Sequence, residues 1–223
     1  MLKVEYHRNL PHFQRLGLCF FIPCNLKGAL PAEVIYQLKR ERDSAVKKLE
    51  DDPLEVALDA IQQARKKYLA RIDSILDACQ YGPTWLKEQL IGEMTSSELR
   101  RLDGTHCTVL AACVMANHVH LIVDLATQLD RLEPGDEPND TNYVQLYRIL
   151  QQFKGRTAFQ ANRLLKRQGT FWQSESFDHY VRNEASLQRF IWYVLNNPVK
   201  AGLVEHWRNW PFQYVHPNYV PEE

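Results

Sequence analysis

The 223-residue sequence predicts an α+β domain, a ferredoxin-like βαββαβ sandwich on an antiparallel sheet, with extra helices inserted between the first two strands and a further helix after the last. Three observations lead there. Short apolar, aromatic or β-branched runs mark strands. Apolar stripes at intervals of three, four or seven mark helices. The order strand, helices, strand, strand, helix, strand, helix follows the βαββαβ pattern up to its last helix.

Leu16 to Pro23 (LGLCFFIP) is an apolar run closed by proline, too short for a helix and suited to a buried strand. From Ala29 to Leu49, Pro31 opens a segment with Val34, Leu38, Ala45 and Leu49 at helical intervals. Pro53 breaks it. Leu54, Leu58, Ile61, Tyr68, Ile72, Ile75 and Cys79 then form one stripe, predicting a long amphipathic helix that ends near Tyr81-Gly82-Pro83. Thr84 to Leu102 reads as another helix, closed by the Asp103-Gly104 turn signal. The helical insertion thus covers about 50–102.

Thr108 to Ala116 and His118 to Leu125 are two apolar stretches around Asn117, expected to form an antiparallel hairpin. An acidic loop rich in Pro, Gly and Asp follows over about 126–141, long enough to suggest flexibility or function. Tyr143 to Arg167 reads as a long helix, in which Gly155 costs about 1 kcal/mol against Ala and so points to a close backbone contact. A short strand is expected over His179 to Arg182. Asn183 caps a last helix from Glu184 to about Asn196, ended by Asn197-Pro198. Trp207, Trp210, Pro211 and Phe212 look like a tail strapped onto one single domain spanning 1–223.

Composition excludes several classes. Hydrophobic residues are 45% and charged residues 24%, a globular mixture rather than a disordered or low-complexity one. No run approaches a membrane helix, and the N-terminus lacks a signal-peptide core, so a cytoplasmic protein is expected. Cys19, Cys24, Cys79, Cys107 and Cys113 include no CxxC pair and suggest reduced thiols.

The sharpest local feature is His118-Val119-His120 within a strand. The two-residue side-chain period places both imidazoles on one face, where they can converge on a metal ion. The same pattern also fits two hydrogen-bonded core histidines. A second feature is Tyr193 and Asn197, four apart near the end of the last helix. Facing the histidines, Asn197 would complete a ligand set and Tyr193 would supply a hydroxyl nucleophile. A core tyrosine with a C-terminal Asn fits as well, and the proline after Asn197 disfavours helical dihedrals there. Tyr180 is a weaker rival, lying in a strand without an Asn partner.

The runs Val114 to Val123 (VMANHVHLIV), Phe171 to Arg182 (FWQSESFDHYVR) and Tyr193 to Val204 (YVLNNPVKAGLV) together resemble the single-tyrosine HUH transposase superfamily. More narrowly they resemble REP-associated tyrosine transposases, over about Tyr6 to His216 and including Lys154 to Thr157 (KGRT). The resemblance implies that His118 and His120 are metal ligands, Asn197 the third ligand and Tyr193 the nucleophile on a catalytic C-terminal helix. It also implies Mg²⁺ or Mn²⁺ as cofactor, and cutting of single-stranded DNA near a hairpin through a 5′-phosphotyrosine link. The helical content between Pro31 and Leu102 departs from that family's minimal core.

Binding single-stranded or hairpin DNA needs cations along phosphates and aromatic faces under bases. Lys154, Arg156, Arg163, Lys166, Arg167 and Arg182 are the candidate cations and Trp172 a candidate platform, against their reading as solvated helix charges and core. The 27 basic and 27 acidic residues cancel overall. Yet residues 1–141 hold 17 basic and 21 acidic, while 142–215 hold 10 basic and 4 acidic, a net of +6 beside Tyr193. Local, salt-sensitive binding is expected. Two other readings are a hairpin-binding regulator that does not cut, and a metal-dependent nuclease that uses activated water. The assembly is expected to be a monomer or a homodimer.

Overall fold

The computed structural model describes residues 5–7, 11–13, 16–47, 67, 70–174, 176 and 178–222. Among the described residues, two short strands, β1 (Glu5–His7) and β2 (Pro11–Phe13), pair with each other and not with the principal sheet. The principal sheet has the order β6-β3-β5-β4-β7, every neighbouring pair antiparallel. Its members are β3 (Cys19–Asn25), β4 (Thr108–Val114), β5 (His118–Asp124), β6 (His179–Tyr180) and β7 (Gln213–Val215). Without β7, the order is the fourth, first, third and second strand of the βαββαβ chain, as the fold class expected requires. The tail does more than strap the domain: β7 adds a strand on β4, and the Trp210 indole donates to the Val114 carbonyl at 3.0 Å.

The helices are α1 (Ala32–Lys47), α2 (70–77), α3 (Gln89–Arg100), α4 (Ala126–Leu129), α5 (Leu146–Leu164) and α6 (Glu184–Lys200). Most of the expected helix over 54–79 lies outside the described residues, α2 being its end. The expected helix over 84–102 is two pieces, a 3₁₀ turn at Trp85–Lys87 and α3, because Glu88 is extended at ψ 125. There the Leu86 amide donates to Ala116, docking the turn on the β4–β5 hairpin. The acidic loop is stitched to the domain by the Gln128 side chain, which makes two hydrogen bonds to the Val144 backbone, and by Arg131, which donates to the carbonyls of Gly104 and Thr105.

Two apolar layers cover the sheet. On one side Val119, Leu121 and Val123 pack with Ile149, Leu150 and Phe153 of α5 and Ile91 and Leu99 of α3. On the other, Phe21, Leu110 and Ile122 pack with Leu187, Ile191, Val194 and Leu195 of α6. β5 is therefore buried on both faces. Gly155 marks no close contact; a Cβ there would meet nothing within 4 Å, since the residue faces outward. The five thiols are free. Among the described residues, no helix is long and apolar enough to cross a membrane.

Candidate active site

Strand alternation sends His118 and His120 toward α6, both fully buried, with their Nε2 atoms 2.9 Å apart. The His118 Nδ1 lies 2.8 Å from the Asn117 Oδ1. An amide oxygen only accepts, so Nδ1 carries the proton and the His118 Nε2 lone pair points into the site. Phe21 stacks on His120 at 5.5 Å and fixes its plane. Burial holds both imidazoles neutral: His118 titrates well below its ordinary value and His120 is lowered to about 3, with Lys200 adding to the effect. Neutral imidazole is the form that binds metal.

Helix α6 brings the other predicted residues. It starts at Asn183, whose side chain accepts from the Ser186 amide at 2.9 Å. It does not stop at Asn197-Pro198 but runs through buried Pro198 to Lys200. The last turn is carried by bonds from Ala201 to Asn197 and from Gly202 to Val199. The missing proline N–H removes a single helical bond, and the burial of Asn197 and Pro198 keeps the backbone helical. Asn197 therefore keeps its helical direction and meets His120, with Nδ2 and Nε2 3.1 Å apart. Its Oδ1 is buried without a partner. Turning the amide over exchanges the two atoms and offers that oxygen to the site.

The inserted α2 adds two carboxylates that the sequence reading missed. Asp77 Oδ1 lies 3.6 Å from the His118 Nε2, and its other oxygen pairs with the Lys200 ammonium at 3.0 Å. Asp73 Oδ2 accepts the Tyr193 hydroxyl at 2.7 Å. Their one legible signal is the spacing of four, which puts both on one helix face beside buried Ile72 and Leu76. Burial raises both carboxyl groups, Asp73 to about 6. Burial and the two carboxylates raise the Tyr193 phenol above its ordinary value.

Asp77, His118 and His120 form a group that can hold a metal ion, their ligand atoms lying within 4.8 Å of one another. Asp77 Oδ1 and Asn197 Oδ1 are orphaned buried acceptors, and adjacent ligands of an octahedral ion stand about 3 Å apart when each bond is about 2.1 Å. The Nε2 separation of 2.9 Å matches that spacing. Two imidazoles and two oxygens are a donor set for a first-row divalent ion or Mg²⁺.

The predicted DNA contacts divide. Trp172, the expected stacking platform, is covered by the fold: it is 4% exposed, its ring packs against Phe153 and Phe171, and its N–H donates to the Thr157 hydroxyl at 2.8 Å. Only chain folding decides which aromatic is covered. Lys154 is spent on the Gln173 carbonyl and Ser176 hydroxyl, at 2.9 and 2.6 Å. Arg163, Lys166 and Arg167 line one hollow with Phe159, and Arg167 lies 4.1 Å from the Trp85 ring centre. Arg156 is exposed on α5, and Arg182 donates to the Tyr180 hydroxyl at 2.9 Å. Tyr180 thus stands with Arg182, apart from the histidine cluster.

No family model matches the chain. It is 27% identical over 132 residues to a candidate REP-associated tyrosine transposase of Haemophilus influenzae, covering 56% of this chain and 69% of that protein. A solved structure of a REP-associated tyrosine transposase bound to a REP hairpin aligns with TM-score 0.47 and 15% identity, over 96% of this chain and 89% of that one. In sequence the chain is similar to a REP-associated tyrosine transposase, the family that its histidine, FWQ and NNPVKAG runs resemble.

Proposed function

We propose that this chain is a metal-dependent single-stranded DNA endonuclease and strand transferase that recognises hairpin DNA and forms a 5′-phosphotyrosine intermediate at Tyr193. One observation carries the reading: β5 and α6 gather His118, His120, Asn197 and Tyr193 around one buried point, with a hydroxyl beside a ready set of ligand atoms. The relative's name adds DNA transposition, and the solved structure's title adds a hairpin ligand.

His118, His120, Asn197 and Asp77 would hold Mg²⁺ or Mn²⁺, which supplies Lewis-acid polarisation of a scissile phosphate. The protein's own part is orientation. Phe21 and Asn117 fix the imidazoles, and the helix places Tyr193 one turn before Asn197. The Tyr193 oxygen attacks phosphorus, the bond to the 3′ oxygen breaks, and the 5′ phosphate stays on the tyrosine. Arg163, Lys166 and Arg167 offer cations beside Phe159 for a phosphate backbone.

The test incubates the protein with end-labelled single-stranded DNA bearing a hairpin, in Mg²⁺ or Mn²⁺, followed by a denaturing gel. Wild type is expected to give a labelled protein band that vanishes with chelator and in Tyr193→Phe. Tight hairpin binding with no cleavage in either metal selects the regulatory reading instead. Cleavage that survives Tyr193→Phe but not His118→Ala selects activated water.

A further inference from the structure

We infer that Asp73, on the inserted helix α2, is the base that takes the Tyr193 proton during attack on DNA. The role rests on the phosphotyrosine reading and assigns it a catalytic residue outside the histidine and tyrosine motifs.

The two α2 carboxylates do different work. Asp77 is paired with Lys200 and lies beside His118. Asp73 has no ion pair among the described residues; one oxygen accepts the Tyr193 hydroxyl at 2.7 Å and the other is buried without a partner. A carboxylate that is 3% exposed and makes a single hydrogen bond is an expensive way to hold a tyrosine. A water or amide would suffice for that. What a carboxylate adds is a place for the proton.

The fold holds Asp73 there firmly. Ile72 and Leu76 on the neighbouring face are buried, and Arg71 donates to the Glu41 carboxylate, tying α2 to α1. After α2 the chain passes Gly82 at φ +68, where a Cβ would sit 2.5 Å from the Gly28 backbone. Only glycine permits that approach, which sets α2 against the end of β3.

The chemistry agrees. Tyr193 is partly exposed, within reach of a substrate, and its surroundings keep the phenol protonated, so a preformed phenolate is not available. The proton must leave as the bond to phosphorus forms. Tyr193 and Lys200 face Asp73 from α6, and Asp77 faces it from its own helix. Burial outweighs the lowering effects of the Tyr193 hydroxyl and the Lys200 charge and raises Asp73 to about 6, close to the range in which a base works best at neutral pH. In the step, the Tyr193 proton passes to Asp73 Oδ2 and the phenolic oxygen bonds phosphorus. The bond to the 3′ oxygen breaks, and that oxygen takes a proton from solvent. Asp73 later returns its proton to solvent, so charge and protons balance.

The test measures single-turnover adduct formation in Mg²⁺ with saturating protein and a labelled hairpin-bearing oligonucleotide, from pH 5 to 8. Asp73→Asn, which keeps the shape and can still accept the hydroxyl, is expected to slow adduct formation by about 100-fold or more. Its hairpin Kd should stay within about twofold, a split that loss of fold would not give. The wild-type rate should fall as pH drops through about 6, and the variant should lack that limb. Asp73→Ser, a smaller replacement, should show the same loss. An adduct rate within about threefold of wild type in Asp73→Asn overturns the role. So does equal loss of hairpin binding and folding in both variants, which would make Asp73 structural. Absence of any adduct with wild type overturns the tyrosine reading itself and this role with it.

Discussion

The two faces of β5 obey the same alternation and the same burial, yet differ in what they contain. Val119, Leu121 and Val123 enter an apolar layer under α5; His118 and His120, equally buried, meet α6 and leave His120 Nδ1 and Asn197 Oδ1 without partners. One face is built for stability. The other keeps orphaned polar atoms at a cost that its neighbours on the same strand do not carry, and such a cost concentrates where chemistry is done.

The largest contrast is expected from adjacent residues. His120→Leu should lower covalent cleavage by about 1000-fold or more, roughly 4 kcal/mol of barrier. Denaturation should show stability unchanged or raised, because an orphaned polar group gives way to an apolar one of similar reach. Leu121→Ala, one position on, should do the reverse. It should cost about 2 to 5 kcal/mol in stability through lost burial and a cavity, while cleavage per folded molecule stays near wild type. Equal effects of the two variants on both measurements would erase the distinction between the faces.

Acid sharpens the comparison. His118 and His120 are lowered when folded, so their contribution is complete above the ordinary value of 6.5 and is lost as pH falls below it, when the unfolded chain binds protons the folded chain refuses. Each contributes a slope of about 1.4 kcal/mol per pH unit at most. Asp73 has the opposite sign. Raised from 3.8 to about 6, it favours the folded state below 3.8, and that advantage is lost as pH rises through 6. Stability measured from pH 4 to 7 should therefore decline more steeply on acidification in Asp73→Asn and less steeply in His120→Leu.

The smallest effect is expected on the apolar side. Trp172→Phe removes the bond to the Thr157 hydroxyl and should cost about 1 kcal/mol in a melting experiment. Hairpin affinity should stay within about twofold if the ring is core and not a base platform. A larger drop in affinity without loss of stability would restore its DNA role.

Much of the site was legible because its signals are local. A period of two placed both histidines on one face, and a spacing of four placed Tyr193 beside Asn197; both survive folding. The proline rule at Asn197 misled, since burial of the last turn outweighed a one-residue backbone preference. Lys154 and Trp172 were legible as residues but not as positions. A helical stripe does not say which polar end is covered by a later loop, and the Gln173 carbonyl and Ser176 hydroxyl cover Lys154.

By itself the sequence determined the order of elements, the paired imidazoles and the tyrosine one turn before its asparagine, all consequences of backbone periodicity over a few residues. The tertiary structure alone decided that α2 would enter the site. Asp73 and Tyr193 are 120 residues apart, and no periodicity reaches that far. Their meeting depends on where Ile72 and Leu76 find a core and on the close passage of Gly82 past Gly28. Long-range packing placed the carboxylates where the local code had already placed the imidazoles and the phenol.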